Sequence, residues 1–127
     1  NTDFSVAYQH NGKLLYVDKQ IIPLPYDFDM TGWVNPSYAT VNQSLGIKSV
    51  QERVYRGFKR EQKYFDQVRS EFISKKTELL DMVSSFKSEF SNPKEFENMF
   101  EFMNDFYEIL EDDSKFDKRI VSQARTK

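Results

Sequence analysis

Two apolar runs with only two polar residues between them lie near the start of the chain. They are KLLYV at positions 13–17 and QIIPLPY at 20–26. Apolar and β-branched residues flanking a two-residue polar break predict a hairpin turning at Asp18 and Lys19. Asp-Lys is a poorer turn than Asp-Gly. Pro23 and Pro25 have no N–H for a ladder, so the second strand is expected to lie at an edge or end early. From 27 to 47 the pattern breaks up: Gly32, Asn35 before Pro36, Asn42 and Gly46 are loop signals. A loop of about twenty residues inside a domain is of a length usually kept for function.

After position 48 the apolar spacing changes from two to three or four, the period of a helix. Ser49 and Glu52 have the spacing of a capping box, in which hydroxyl and carboxylate each satisfy an orphan backbone donor. A helix is expected from there, carrying Val50, Val54 and Phe58, with Gly57 as a break. A long helix over about 60–90 follows, with Phe65, Val68, Phe72, Leu79, Val83, Phe86 and Phe90 on its apolar side. Ser91, Asn92 and Pro93 stop it and start the next, with Asn92 as cap, Pro93 in the first position and Glu95 completing a box. Phe96, Met99, Phe100, Met103, Phe106, Tyr107 and Leu110 give that helix a wide apolar face to about 111. Ser114 opens a last short helix bearing Phe116, Ile120 and Val121. Heptad-like spacing over 65–90 is too short and too rich in Phe for a coiled coil. The expected fold is mainly α with an N-terminal β-hairpin.

Composition narrows the function classes. The 127 residues suit one domain, divided here into a hairpin part (1–32), a loop (33–47) and a helical part (48–127). Hydrophobic residues at 39% and aromatic residues at 16% suffice for a core and argue against disorder. A net charge of -2, from 18 basic and 20 acidic residues, gives no pull toward nucleic acid or an anionic membrane surface. There is no cysteine for a disulfide or thiolate, and a single histidine rules out a multi-His metal site. No apolar run approaches the ~18 residues of a membrane span. The compartment is not fixed by these features. The chain opens on Asn1 rather than Met, which is read as the C-terminal portion of a longer protein. Asn42, Gln43 and Ser44 form a sequon that chance accounts for.

Candidate chemistry sits at the open end of the hairpin. With Asp18 and Lys19 as a two-residue turn, paired positions sum to 37. Asn11 then faces Tyr26, and His10 faces Asp27. Directly opposed residues have Cα atoms roughly 4.5–5.5 Å apart, so Asn11 and Asp27 meet, and Asp3 is near enough in sequence to loop back to them. Asp27 and Asp29 would share a face if the chain stayed extended. At about 6–7 Å their repulsion is about 2–3 kcal/mol at an effective dielectric near 20. Water tolerates that repulsion, whereas a cleft calls for a cation or a proton. Carboxylates and a carboxamide are hard oxygen ligands suited to Mg²⁺ or Mn²⁺. A solvated strand end is the plainer reading of the same two acids.

The order Asp, Asn, hairpin, Asp-Phe-Asp in "NTD…HN…PYDFD" resembles the catalytic and metal-binding loops of kinase-like proteins. The closest likeness is to the CotH spore-coat kinase family, with a more distant one to HipA-type kinases. The resemblance implies a fold like the helical C-lobe of a kinase. It also implies Asp3 as the catalytic Asp, Asn11 as a metal-binding Asn, Asp27 as the principal metal Asp and Asp29 as a second acid. It implies Mg²⁺ or Mn²⁺ with ATP as cofactors. It covers about residues 1–32. "PYDFDMTGWVNPSYA" followed by "SVQERVYRG" also resembles a bacterial family of uncharacterised proteins with the same plan. Two departures stand out: Asp3 and Asn11 are eight apart rather than five, and Met30, Thr31 and Gly32 replace the immediate Gly. A kinase's phosphate loop, nucleotide-contacting Lys and that Lys's Glu partner are not among these residues. The resemblance therefore implies an N-terminal part of the same chain and a nucleotide as partners, with no transfer by this piece alone. A non-catalytic helical interaction domain is the alternative.

Other polar residues have plainer uses. His10 suits a turn or cross-strand partner, Arg53 and Arg56 a solvated helix face, and Trp33 and Tyr38 the packing of the long loop. Glu111, Asp112 and Asp113 lack the spacing and glycine of a calcium loop and suit an exposed helix end.

Overall fold

The computed structural model describes residues 4–6 and 8–126, so Asp3 lies outside the described residues. The chain divides into two compact units, one of Asn1–Phe58 with Gln123–Lys127, the other of Lys59–Ser122. The architecture is mainly helical with an N-terminal antiparallel hairpin, as the periodicity indicated. Its described strands and α-helices are β1 (Gly12–Val17), β2 (Gln20–Pro25), α1 (Gln62–Ser74), α2 (Lys76–Ser85), α3 (Pro93–Glu111) and α4 (Asp113–Phe116), with short 3₁₀ turns at Gln43–Leu45 and Lys87–Glu89 and a π-helical turn, Asp117–Val121, that continues α4. Among the described residues no helix is long and apolar enough to cross a membrane.

In the first unit, β1 and β2 pair in the anticipated register, from Val17 opposite Gln20 to Gly12 opposite Pro25. Asp18 and Lys19 both take positive φ, 51° and 63°. That is the backbone of a type I′ turn, whose twist matches the strands it joins. The Tyr26 amide donates to the Asn11 carbonyl at 3.0 Å, which makes that pair a hydrogen-bonded one. Such pairs alternate along an antiparallel ladder, so Pro23 and Pro25 occupy the intervening places, where the backbone nitrogen points away from β1. The prolines therefore cost the hairpin no bond. They remove donors only from the outer edge of β2.

The helix expected from Ser49 does not form. Its capping interactions do: Glu52 Oε1 accepts from the Ser49 amide at 3.1 Å and from Lys48 at 2.7 Å, and Ser49 Oγ accepts from Gln51. They close a single turn, after which the chain runs without helix to Glu61. Tertiary packing overrides the local signal. Ile47 and Val50 are buried, and the backbone at Val50 lies so close to Gly32 that a Cβ there would come within 2.2 Å of the Val50 carbonyl oxygen. β-Branched Val50 and Val54 and the glycine at 57 give a helix little to set against this.

In the second unit, the long helix expected over 60–90 is two. Lys75, at φ -98° and ψ 4°, separates α1 from α2, and its amide donates to both Glu71 and Phe72 carbonyls. Ser74 Oγ donates to the Glu71 carbonyl at 2.8 Å, and Ser84 and Ser85 do likewise to Leu80 and Met82 near the end of α2. Serines that bond back to the preceding turn bend and weaken helices. Asn92 caps α3 as expected, accepting from Lys94 at 3.0 Å. The α4 cap is Asp112, two residues before Ser114, accepting from Lys115 at 2.8 Å. Phe65, Val83, Phe96, Tyr107, Leu110 and Phe116 form the core. Arg69 ties α1 to the end of α3: its Nε donates to the Leu110 carbonyl at 2.5 Å, it pairs with Asp113 at 2.7 Å, and it lies over the Phe116 ring.

Candidate functional site

At the open end of the hairpin the side chain of Asn11 meets the backbone of Asp27. Asn11 Nδ2 donates to the Asp27 carbonyl at 3.3 Å across sixteen residues. The register alone brings these residues together, because the ladder ends at the Asn11–Tyr26 pair and each strand then turns away. Both turn through the left-handed region, Asn11 at φ 49° and Asp27 at φ 60°. Asn and Asp are the side-chain types that tolerate this conformation best. Gln9, two residues before Asn11, adopts φ 51° as well. Non-glycine residues held in this region persist only where surrounding structure over-determines them.

The surroundings are a set of short closed turns. Ser5 and His10 exchange both backbone hydrogen bonds, at 3.1 and 3.0 Å, and Gln9 donates to Val6. On the other strand the chain does not stay extended after Asp27. The Thr31 amide closes a turn onto Phe28 at 3.1 Å, and Asn35 donates to Thr31 at 2.8 Å. Asp27 and Asp29 therefore do not lie on the extended backbone that would alternate them onto one face. Asp29 lies inside that turn and is exposed. Thr31 and Gly32 are buried, and the Gly32 approach to Val50 anchors the end of the loop.

Asp3 falls outside the described residues, so the convergence documented here is that of Asn11 with Asp27. Among the described residues no group of three or more His, Cys, Asp or Glu side chains is placed to hold a metal ion.

Two features escaped the sequence reading. One is the Gly32–Val50 approach, whose only local signal was a glycine in a loop. The other is an aromatic–cation group around Tyr8. The Arg56 and Arg125 guanidiniums lie 5.5 and 4.8 Å from the centre of the Tyr8 ring, and Arg125 also donates to the Tyr8 hydroxyl. Nothing local in the sequence links residue 8 to residue 125. Arg56 is half-buried and lies on non-helical backbone, not on the solvated helix face expected for it. Tyr38, expected to pack the long loop down, is exposed.

No protein-family model matches the chain, and no curated protein or solved structure matches it.

Proposed function

We propose that this chain is the metal- and catalysis-bearing piece of an atypical, kinase-like phosphotransferase, with a fold like the helical C-lobe of such a protein. The observation that supports this reading best is the meeting of Asn11 and Asp27 at the base of a short hairpin. In the kinase plan a metal-binding Asn and a metal-binding Asp flank just such a hairpin. Asn11 and Asp27 would hold Mg²⁺ or Mn²⁺ against the phosphates of ATP, with Asp29 assisting. Asp3 would accept the proton of the attacking hydroxyl. The metal would supply neutralisation of charge on the phosphates. The protein residues would supply position, the main requirement of phosphoryl transfer. The proposal assigns the phosphate-cradling loop and the nucleotide-contacting Lys to a part of the same chain N-terminal to the hairpin, without which this piece is inactive.

The test is nucleotide binding and turnover by the full-length protein with Mg²⁺ or Mn²⁺. The expected result is metal-dependent ATP binding that Asp27→Ala weakens at least tenfold. Absence of both binding and turnover, with no effect of Asp27→Ala, overturns the reading.

A second reading draws on a different observation. The hairpin carries apolar side chains on both faces, and they are exposed: Tyr16 at 69% and Ile21 at 65% are the extremes. An apolar ribbon of this kind favours a non-catalytic module that binds a protein or packs against more of its own chain. No affinity for divalent cations, with or without nucleotide, is the outcome that would favour it over the first.

A further inference from the structure

The loop leading into Asn11 is held by a residue from the far end of the chain. Ser5, Val6, Tyr8, Gln9 and His10 close on one another through backbone hydrogen bonds and the Ser5 hydroxyl, which accepts from the Tyr8 amide at 3.4 Å. Tyr8 extends from that loop to Arg125, 117 residues away in sequence, which donates to its hydroxyl and lies over its ring. The Arg125 backbone is itself fixed. Its amide donates to the Gly57 carbonyl at 3.0 Å, and it forms a parallel bridge with Phe58. A guanidinium facing a ring is drawn to the negative face of the π system. A charged donor on the phenolic oxygen gives the stronger kind of hydrogen bond. The two contacts engage both the face and the tip of the ring of Tyr8, a residue that is itself 62% exposed.

We infer that Arg125 is a positioning residue: through Tyr8 it sets the conformation of the Ser5–His10 turn and so the placement of Asn11. The C-terminal segment then belongs to the candidate site, although it contributes no ligand. The link to metal binding rests on the phosphotransferase reading; the link to loop order does not. Arg56, which also lies against the Tyr8 ring, is expected to assist.

Amide hydrogen exchange and Mn²⁺-induced NMR broadening on the 127-residue chain test this, with wild type, Arg125→Ala and Arg125→Lys compared. In Arg125→Ala the amides of Ser5, Tyr8, Gln9 and His10 are expected to exchange about tenfold faster or more, while those of α1, α2 and α3 keep their wild-type rates. Mn²⁺ broadening at Asn11 is expected to weaken several-fold. Arg125→Lys, which keeps the charge but not the planar fork, should fall between the two. Unchanged exchange in the Ser5–His10 turn overturns the inference. So does an acceleration that includes the helices equally, because that reports general loosening. If wild type shows no Mn²⁺ broadening at Asn11 or Asp27, this piece alone does not hold the metal, the full-length test with ATP decides the phosphotransferase reading, and the positioning role stands or falls by the exchange data alone.

Discussion

Tyr107 is the side chain most completely removed from water, at 1% exposure, and its hydroxyl has no hydrogen-bond partner among the described residues. Burial holds its pKa above the ordinary 10.0; nearby Lys76 opposes the shift and Glu111 adds to it. The fold thus keeps a proton that the unfolded chain gives up near pH 10, so this residue lowers stability as pH rises past that point. In urea unfolding between pH 8 and 11, wild type should lose stability above pH 10 more steeply than Tyr107→Phe. At pH 7 the variant should be more stable by about 1 kcal/mol, since an unsatisfied buried hydroxyl is removed. The periodicity placed Tyr107 on the apolar face of its helix, but its lack of a partner depends on what packs around it. Asn11 and Asp27 were more legible: their positions follow from counting the hairpin register, and their residue types suit the left-handed turns they occupy. The bend after Asp27, which separates Asp29 from the extended geometry, was not. It is closed by Thr31 and anchored at Gly32 by residue 50.

The elements differ in how local their causes are. The hairpin is written into the sequence because its turn, its apolar runs and its prolines all lie within fourteen positions and agree. The placement of the prolines yields a prediction. Pro23→Val should keep the register, because position 23 makes no ladder bond. Ile22→Pro, in a hydrogen-bonded pair with Leu15, should cost about 3 kcal/mol and abolish the cross-strand NOEs of the hairpin. The α3 cap was legible for the same reason, since Asn92, Pro93 and Glu95 are adjacent and act on one another. The helix expected at 49 failed although its capping bonds formed. A cap contributes about 1 kcal/mol, and here the following residues pack as non-helical chain. The break at Lys75 was hidden because serines that fit a helix by pattern can also divert its carbonyls.

At the scale of the molecule, each unit keeps its own small core, the first around Ile47 and Val50 and the second around Phe65, Val83, Phe96, Tyr107, Leu110 and Phe116. The hairpin adds exposed apolar surface to the first, and an isolated two-stranded hairpin is marginal in water. Such a surface should promote self-association at high concentration. Tyr16 and Ile21 stand opposite each other, so Tyr16→Lys combined with Ile21→Glu exchanges an apolar pair for a charged one on the same face. Sedimentation velocity should show less association for the pair than for wild type. Stability by urea unfolding should change by less than about 1 kcal/mol.

What the sequence determined by itself is what depends on neighbours: the hairpin and its register, the capped third helix, the apolar faces and the Asn11–Asp27 meeting, all set by contacts within about sixteen residues. What only the tertiary structure decided are the turn in place of a helix at Ser49, the grip of Arg69 on α3 and the hold of Arg125 on Tyr8. Each of these is a choice among locally acceptable conformations, made by a partner far along the chain. The energies separating such conformations are about 1 kcal/mol, small enough for one distant contact to reverse.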